Sequence, residues 1–472
     1  MAQTDSNNKQ CELFEINNEL ISRYDKSGPR YTSYPTAASF HEGITEKDFF
    51  RHAELSNELP VPKALSLYVH VPFCDTICFY CGCNKIATKD NSRANEYLDY
   101  LEKEAAILEN HFDEDRLVTQ LHWGGGTPTF LNTQQIERLM KILSTHWTLD
   151  TSDERDFSIE IDPRSTSVEG IKHLASLGFN RFSLGVQDIN LKVQQAINRI
   201  QPLELNKQII DACREVGSKS INIDLIYGLP LQTVDTFSET LDAIIELSPD
   251  RLSVFNYAHL PTLFKPQRRI NEDELPSANQ KLEMFSMIAN KLTNAGYIYI
   301  GMDHFAKPED ELSKALNNGT LQRNFQGYTT HADCDLVSLG VSAISSFDGL
   351  MSQNAKTVEE YYEKLDAGQL AVIKGVELTE EDRMRREVIQ QIMCQNKLDL
   401  SKITQMFDLS GWSDFTSEFE ELKPMEEDGL VEITSSGVQI TPKGRVLARN
   451  IAMVFDTATK KLEIKTRFSK VI

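Results

Sequence analysis

From residue 65 onward the apolar positions of the chain fall into two alternating patterns. Short β-branched or apolar runs at 65–71, 120–123, 157–161, 181–185, 221–226 and 252–257 predict strands. Between and after them, apolar residues recurring at helical spacing predict helices over 94–110, 133–146, 168–177, 191–200, 203–216 and 234–247. Strand-then-helix steps of this kind, with an extra helix in one connection, predict an α/β fold around a parallel sheet. In such folds ligands sit where strands end and loops begin.

The pattern differs on both sides of this block. Residues 1–57 precede the barrel-like region. Within them 27–36 is rich in Pro, Gly, Tyr and Ser, and reads as an extended arm lying on another element or as a surface loop. After the sixth strand, 276–295 reads as a helix and 297–300 as a strand. Small and polar runs at 301–306, 324–330 and 339–345 then read as loops. Residues 376–472 change character again. A charged amphipathic helix at 380–396 leads to a hairpin, 428–434 and 438–441 around Ser435-Ser436-Gly437, and a helix at 442–455. Helices plus a hairpin resemble a winged-helix module. The division is therefore an arm at 1–57, an α/β unit with its extension at 58–375, and a mostly helical unit at 376–472.

Composition narrows the functional classes. The net charge of −21 repels nucleic-acid backbones and anionic lipid, so the winged-helix pattern is not read as DNA-binding. No apolar run approaches the ~20 residues of a membrane span. Residues 1–10 are polar without a signal-peptide core, and the cysteines are clustered rather than set at disulfide-framework spacing. A reducing compartment, the cytoplasm, is expected.

Cys74, Cys78, Cys81 and Cys83 fall within ten residues, directly after the first strand. Thiolates this dense repel one another unless a metal neutralises them. Three on one loop can hold three irons of a 4Fe-4S cluster and leave the fourth open. Structural zinc with Cys83 as fourth ligand is the alternative, although zinc normally takes two separated pairs. The other strand ends are polar or glycine-rich: His122-Trp123-Gly124-Gly125-Gly126-Thr127, Glu160-Ile161-Asp162, Gly185-Val186-Gln187, Asp224 and the run to Pro230, and Asn256-Tyr257-Ala258-His259. Each alone reads as a cap or turn. Together, beside the cysteines, they point to one shared site.

Cys-x3-Cys-x2-Cys with an aromatic residue before the third cysteine resembles the signature of radical S-adenosylmethionine (SAM) enzymes. More specifically, the blocks 27–36, 65–85, 122–129, 222–230, 255–261, 302–306, 324–330 and 468–472 resemble the bacterial oxygen-independent coproporphyrinogen III oxidases. The resemblance implies an incomplete (β/α)6 barrel with an N-terminal arm and a mostly helical C-terminal domain. It implies that Cys74, Cys78 and Cys81 hold a 4Fe-4S cluster while Cys83 does not. It implies two SAM molecules per site, the first against Tyr68, Gly125, Glu160 and Ile344. The second meets Tyr80, where phenylalanine is more frequent, with Gly126, Thr127, Gln187, Arg199, Asp224 and Ala258. Arg199 and Asp224 as an ordinary ion pair holding barrel loops is the alternative.

The implied reaction belongs to haem biosynthesis. Two propionates of coproporphyrinogen III become vinyl groups, giving protoporphyrinogen IX, by way of a 5'-deoxyadenosyl radical. Its unactivated C–H bonds are beyond an ordinary general base. Arg30 in the arm is the candidate partner of a substrate propionate, because guanidinium suits a planar carboxylate and an acidic protein needs local positive charge there. The expected partners are the substrate and a small reducing electron-transfer protein, with the enzyme acting as a monomer. Haem chaperones of the same superfamily are the rival reading. They usually lack the arm and an equivalent of Cys83.

Overall fold

Six parallel strands carry the molecule: β1 (Leu65–Val71), β2 (Val118–Gly125), β3 (Asp156–Ile161), β4 (Arg181–Gln187), β5 (Ser220–Tyr227) and β6 (Arg251–Asn256). The structure is a computed structural model, and it describes residues 20, 23, 24, 26–331 and 333–461. The arm's first residues and the 468–472 block lie outside the described residues.

Period-two alternation explains the layering. In β5 the residues Ile221, Ile223, Leu225 and Tyr227 are buried against the outer helices, while Asn222 and Asp224 point to the opposite face. Ser158 and Glu160 of β3, Ser183 and Gly185 of β4, and Ser253 and Phe255 of β6 lie in the same phase and line interior cavities. The outward face is apolar: Leu67, Val69, Leu121, Trp123, Ile159, Leu184 and Ile223 are fully buried. Each contributes roughly 1.5–3 kcal/mol by burial. The helices α1 (Arg93–Leu108), α2 (Thr133–His146), α3 (Val168–Ser176), α4 (Leu191–Ala196), α5 (Leu203–Glu215) and α6 (Val234–Leu247) follow the strands as expected.

The sheet continues past both ends of this unit. Asp335–Leu339 adds in parallel beside β1, and three antiparallel strands, Ile344–Phe347, Leu350–Asn354 and Val372–Glu377, extend that edge. His304–Ala306 and Ile298–Gly301 extend the other edge after β6. The outermost strands do not pair with each other, so the sheet is an incomplete barrel.

Several local expectations are corrected. The helix expected over 191–200 stops at Ala196, because Asn198 takes a left-handed backbone (φ 55°). The run 339–345 is not one loop: it spans the end of one strand, a turn and the start of the next. Likewise 301–306 begins on the last residue of the strand Ile298–Gly301 and contains the strand His304–Ala306, and 324–330 overlaps the hairpin of Gln322–Asn324 and Gly327–Thr329. These strands are too short to show a period. The region before β1 holds a helix, Glu46–Asn57, whose N-terminus is fixed by a Thr45–Asp48 capping box. The last helix is divided into a 3-10 turn, Lys443–Leu447, and Ala448–Val454.

The C-terminal part builds on Glu380–Gln395 and a three-stranded sheet in the order Lys397–Asp399, Gly437–Ile440, Val431–Thr434. It shares a second apolar core with the arm, whose Tyr24, Tyr31 and Tyr34 pack with Val388, Ile392 and Ile451. Tyr24 and Tyr31 donate hydrogen bonds to Asp428 and Asp456, at 2.7 and 2.8 Å. The arm is thus an extension of the C-terminal core that reaches back over the barrel.

Candidate active site

The loop after β1 is pinned on every side. Phe73–Cys74 pairs with Ile86–Ala87, and the Thr88 N–H donates to the Cys74 carbonyl at 2.9 Å. Asn198 donates through Nδ2 to the Ile77 carbonyl (2.8 Å), and the Phe79 N–H donates to that of Ile197 (2.9 Å). Gln267 Nε2 donates to the carbonyls of Tyr80 and Ala258, at 2.8 and 3.2 Å. Held between these contacts, Cys74, Cys78 and Cys81 line one cavity of about 450 Å³. Cys78 is buried and Cys83 exposed, and Cys83 borders the same cavity.

The donor set and the cavity fit an iron-sulfur cluster with a ligand beside it. Among the described residues no three His, Cys, Asp or Glu side chains are arranged around a single metal ion. One ion requires ligands at about 2–2.3 Å from one point, whereas a cluster is bridged by its own sulfides and takes thiolates from around a volume. The glycines beside the loop let the chain pack closely against it. A Cβ on Gly126 would stand 2.6 Å from the Phe73 carbonyl oxygen, and one on Gly124 would stand 2.9 Å from the Glu160 carboxyl. Gly125 adopts φ 117°, which a side chain would strain.

The strand ends deliver charge into this space. Glu160 accepts from the Gly125 N–H at 3.2 Å and meets His122 Nε2 at 3.4 Å. Burial pushes its carboxyl up, but the His122 contact and the backbone N–H outweigh burial and hold it below the ordinary range. Asp224 behaves oppositely. Burial, then the charge of Glu160, push its carboxyl up to about 6, despite hydrogen bonds from Asn222 (2.8 Å) and Ser183 (3.2 Å). The alternative pairing of Arg199 with Asp224 is corrected: Arg199 Nη1 pairs with Asp162 at 2.9 Å.

Arg199 reaches this position because of the shortened α4. The left-handed turn at Asn198 ends the helix and sends the next side chain inward, while Ile200 points to solvent. Gln187 is aimed by a related device, a register shift at the end of β4 with φ 69°. Sequence reasoning missed one participant. Arg164 pairs with Asp162 at 2.7 Å, and its Nη2, like Nη1 of Arg199, approaches Cys78 Sγ, at 3.6 and 3.5 Å. Two guanidinium groups therefore stand against one thiol. The strand end Glu160-Ile161-Asp162 is visible in the sequence, but the direction of the arginine two residues on is not.

The candidate residues divide among three adjoining cavities. Tyr80, Gly126, Thr127, Gln187, Arg199 and Asp224 share the cysteine cavity. Tyr68, Gly125, Glu160 and Ile344 line a neighbouring space of about 330 Å³, where the Tyr68 ring stacks on His122 at 5.7 Å. Gly125, Glu160 and Cys83 border both. Ala258 and Arg30 line a third cavity of about 460 Å³. There Arg30 pairs with Asp303 at 2.9 Å and lies 5.8 Å from the centre of the Phe255 ring, which also lines the cysteine cavity.

A partial barrel with three cysteines on its first loop and a glycine- and carboxylate-lined cavity beside them defines the class, a radical SAM enzyme. The family model "Radical SAM superfamily" matches residues 68–244, and "HemN C-terminal domain" matches 378–447. The chain is 52% identical over 454 residues to the oxygen-independent coproporphyrinogen III oxidase of Pseudomonas aeruginosa, covering 96% of this chain and 98% of the relative. It is 48% identical to that of Escherichia coli, with the same coverage. A solved structure described as "Coproporphyrinogen III oxidase (HemN) from Escherichia coli is a Radical SAM enzyme" superposes with a TM-score of 0.89 at 46% identity, over 94% of this chain and 99% of that one. The chain belongs to the family of oxygen-independent coproporphyrinogen III oxidases.

Proposed function

We propose that this chain converts two propionate side chains of coproporphyrinogen III to vinyl groups without oxygen, yielding protoporphyrinogen IX. The observation that carries the reading is the three-cysteine cavity at the strand ends of a barrel that matches the E. coli oxidase nearly end to end. When bound, the cluster and SAM supply a primary carbon radical strong enough to take a hydrogen atom from an unactivated carbon.

The rest of the work falls to the chain's own side chains. Cys74, Cys78 and Cys81 hold the cluster, and Cys83 borders it without ligating. Two SAM molecules are accommodated, in keeping with the two adjoining cavities. Glu160, kept anionic between them, accepts hydrogen bonds from the first molecule, and the Tyr68 ring covers it. Arg199 meets the methionine carboxylate of the second, and Asp224 accepts from its amine or ribose hydroxyls. Gly124 to Gly126 let ligand atoms approach bare backbone, and Tyr80 shields the site from water. Arg30 meets a substrate propionate at the mouth. A small reducing electron-transfer protein supplies the electron, and the enzyme works as a monomer in the cytoplasm. Among the described residues no helix is long and apolar enough to cross a membrane.

The test is anaerobic incubation of the reconstituted protein with SAM, a reductant and coproporphyrinogen III, followed by pigment analysis after oxidation. Protoporphyrin IX is expected. SAM cleavage with coproporphyrin returned unchanged would count against the reading.

A further inference from the structure

Two guanidinium groups converge on the sulfur of Cys78. Arg164 Nη2 and Arg199 Nη1 approach its Sγ at 3.6 and 3.5 Å. Cys81 is served differently. Its Sγ takes the backbone N–H of Cys83 at 3.4 Å, and the ammonium of Lys85 beside it donates to the Cys81 carbonyl at 3.3 Å.

The two arginines share one carboxylate. Asp162 Oδ1 takes the backbone N–H and the Nε of Arg164, both at 3.0 Å. Its Oδ2 takes Nη2 of Arg164 at 2.7 Å and Nη1 of Arg199 at 2.9 Å. Burial pushes the Asp162 carboxyl up, but the two arginines outweigh burial and hold it below the ordinary range. In direct contact, then, two cations meet one carboxylate and one thiol, and a thiolate at Cys78 completes the balance. Little water screens these charges, since Arg164, Asp162 and Arg199 keep only 21, 13 and 7% of their side-chain surface exposed.

The arginines are not equivalent. Arg199 also donates through Nη2 to the Gly185 carbonyl. Among the described residues the hydrogen bonds of Arg164 go to Asp162 and Cys78. Local structure holds it there. Asp162 ends β3 and caps the 3-10 turn Pro163–Ser165, so one carboxylate fixes both the turn and the guanidinium that leaves it.

We propose that Arg164 sets the reduction potential of the cluster held by Cys74, Cys78 and Cys81, acting through the Cys78 sulfur. The proposal rests on the functional reading above. One-electron reduction, by the electron-transfer protein or a chemical reductant, adds one negative charge to the cluster and its thiolates. No proton moves on the arginine. A guanidinium keeps its charge at any working pH, and positive charge and hydrogen bonds at the sulfurs favour the reduced form. Arg164 is therefore a positioning residue that raises the potential and eases electron entry.

The test is a redox titration of the anaerobically reconstituted protein without SAM, following the reduced cluster by electron paramagnetic resonance. Iron, sulfide and SAM affinity are measured alongside. Arg164→Gln is expected to keep its cluster and its SAM affinity, with the reduced-to-oxidised ratio at a given reductant about tenfold lower. That is a fall of about 59 mV for a one-electron couple. Arg164→Lys should recover at least half of the shift, because it keeps the charge. A merely structural arginine would change cluster content without moving the potential of the protein that loads. An unchanged potential in loaded Arg164→Gln overturns the proposal, and loss of SAM affinity at unchanged potential assigns the residue to SAM instead. Should Arg164→Gln take up no cluster, Asp162→Asn decides, since it removes a negative charge beside the same sulfur. A potential above wild type is then expected, and one at or below wild type, or failure of this variant to load as well, overturns the proposal. Wild-type protein that takes up no 4Fe-4S cluster overturns both readings. The expected shift in Arg164→Gln, with wild-type enzyme that yields no protoporphyrin, overturns the functional reading and leaves the role of Arg164 standing.

Discussion

The cysteine cavity, lined by Phe255, and the arginine cavity, lined by Ala258, are built in different ways. The first is assembled from strand ends of one continuous α/β unit. Beside its thiols the carboxylates Asp75, Glu160, Asp162 and Asp224 face Lys85, Arg164 and Arg199, so its charges nearly balance. The second draws on three distant stretches: the arm, the region from β5 to residue 303, and the C-terminal residues 445–449. Arg30, Lys281, Arg445 and Arg449 line it together with Asp303. The barrel alone therefore supplies the cysteine cavity, whereas the second cavity needs the arm and the C-terminal residues as well.

The strongest way to break this division is at the cysteines. Cys81→Ala, reconstituted anaerobically, should lose most of its iron and sulfide, and activity should fall to background. Cys83→Ala should keep its cluster. Normal cluster content in the first variant, or outright loss in the second, would contradict the ligand assignment.

A smaller effect, confined to the cysteine cavity, is expected from Arg199→Ala. Arg164 remains on Asp162 at 2.7 Å, so the buried carboxylate is not left unpaired and the fold should survive. The variant should keep its iron and one bound SAM, lose the second, and drop in vinyl formation by about a hundredfold, the scale of two or three kcal/mol. Equilibrium binding of labelled SAM checks this. Two molecules at unchanged affinity would sink the assignment of Arg199.

The smallest effect is a pH dependence. The Asp224 carboxyl, pushed up to about 6, is neutral below that pH and ionised above it. A cationic ligand beside it favours the ionised form, so SAM affinity should rise as pH increases through 6 and level off above. Roughly tenfold is expected between pH 5 and 7, with protons released on binding near pH 6. Asp224→Asn should flatten the profile. The stability effect has the opposite sign. The folded carboxyl binds protons that the unfolded chain, at its ordinary 3.8, has lost, so this group's contribution to stability falls as pH rises from about 4 to 6. A wild-type binding profile that is flat from pH 5 to 7 would remove Asp224 from the ligand's surroundings.

The same contrast explains what the sequence made legible. β1 was expected at 65–71 and lies there, as do the helices at 133–146 and 234–247, because their periods are clean and their ends capped. The cysteine cavity could be anticipated because strand ends of a parallel sheet converge, so residues scattered from 74 to 224 share one side by rule. No such rule brings Arg30, Lys281, Arg445 and Arg449 together. Their meeting depends on the arm joining the second core through Tyr24, Tyr31 and Tyr34, a tertiary fact with no periodic trace. Arg199 falls between the two cases. Its place in the chain was evident, but its partner was decided by the left-handed residue at Asn198, which the helical pattern of 191–200 concealed.

Hydrogen transfer from the substrate is the central claim, and one isotope experiment reaches it directly. Coproporphyrinogen III carrying deuterium at the propionate β-carbons is incubated anaerobically with the reconstituted enzyme, SAM and a reductant, and the 5'-deoxyadenosine is examined by mass spectrometry. The account predicts deuterium in the 5'-deoxyadenosine, appearing in step with each vinyl group formed. Unlabelled 5'-deoxyadenosine alongside full conversion to protoporphyrinogen would contradict it.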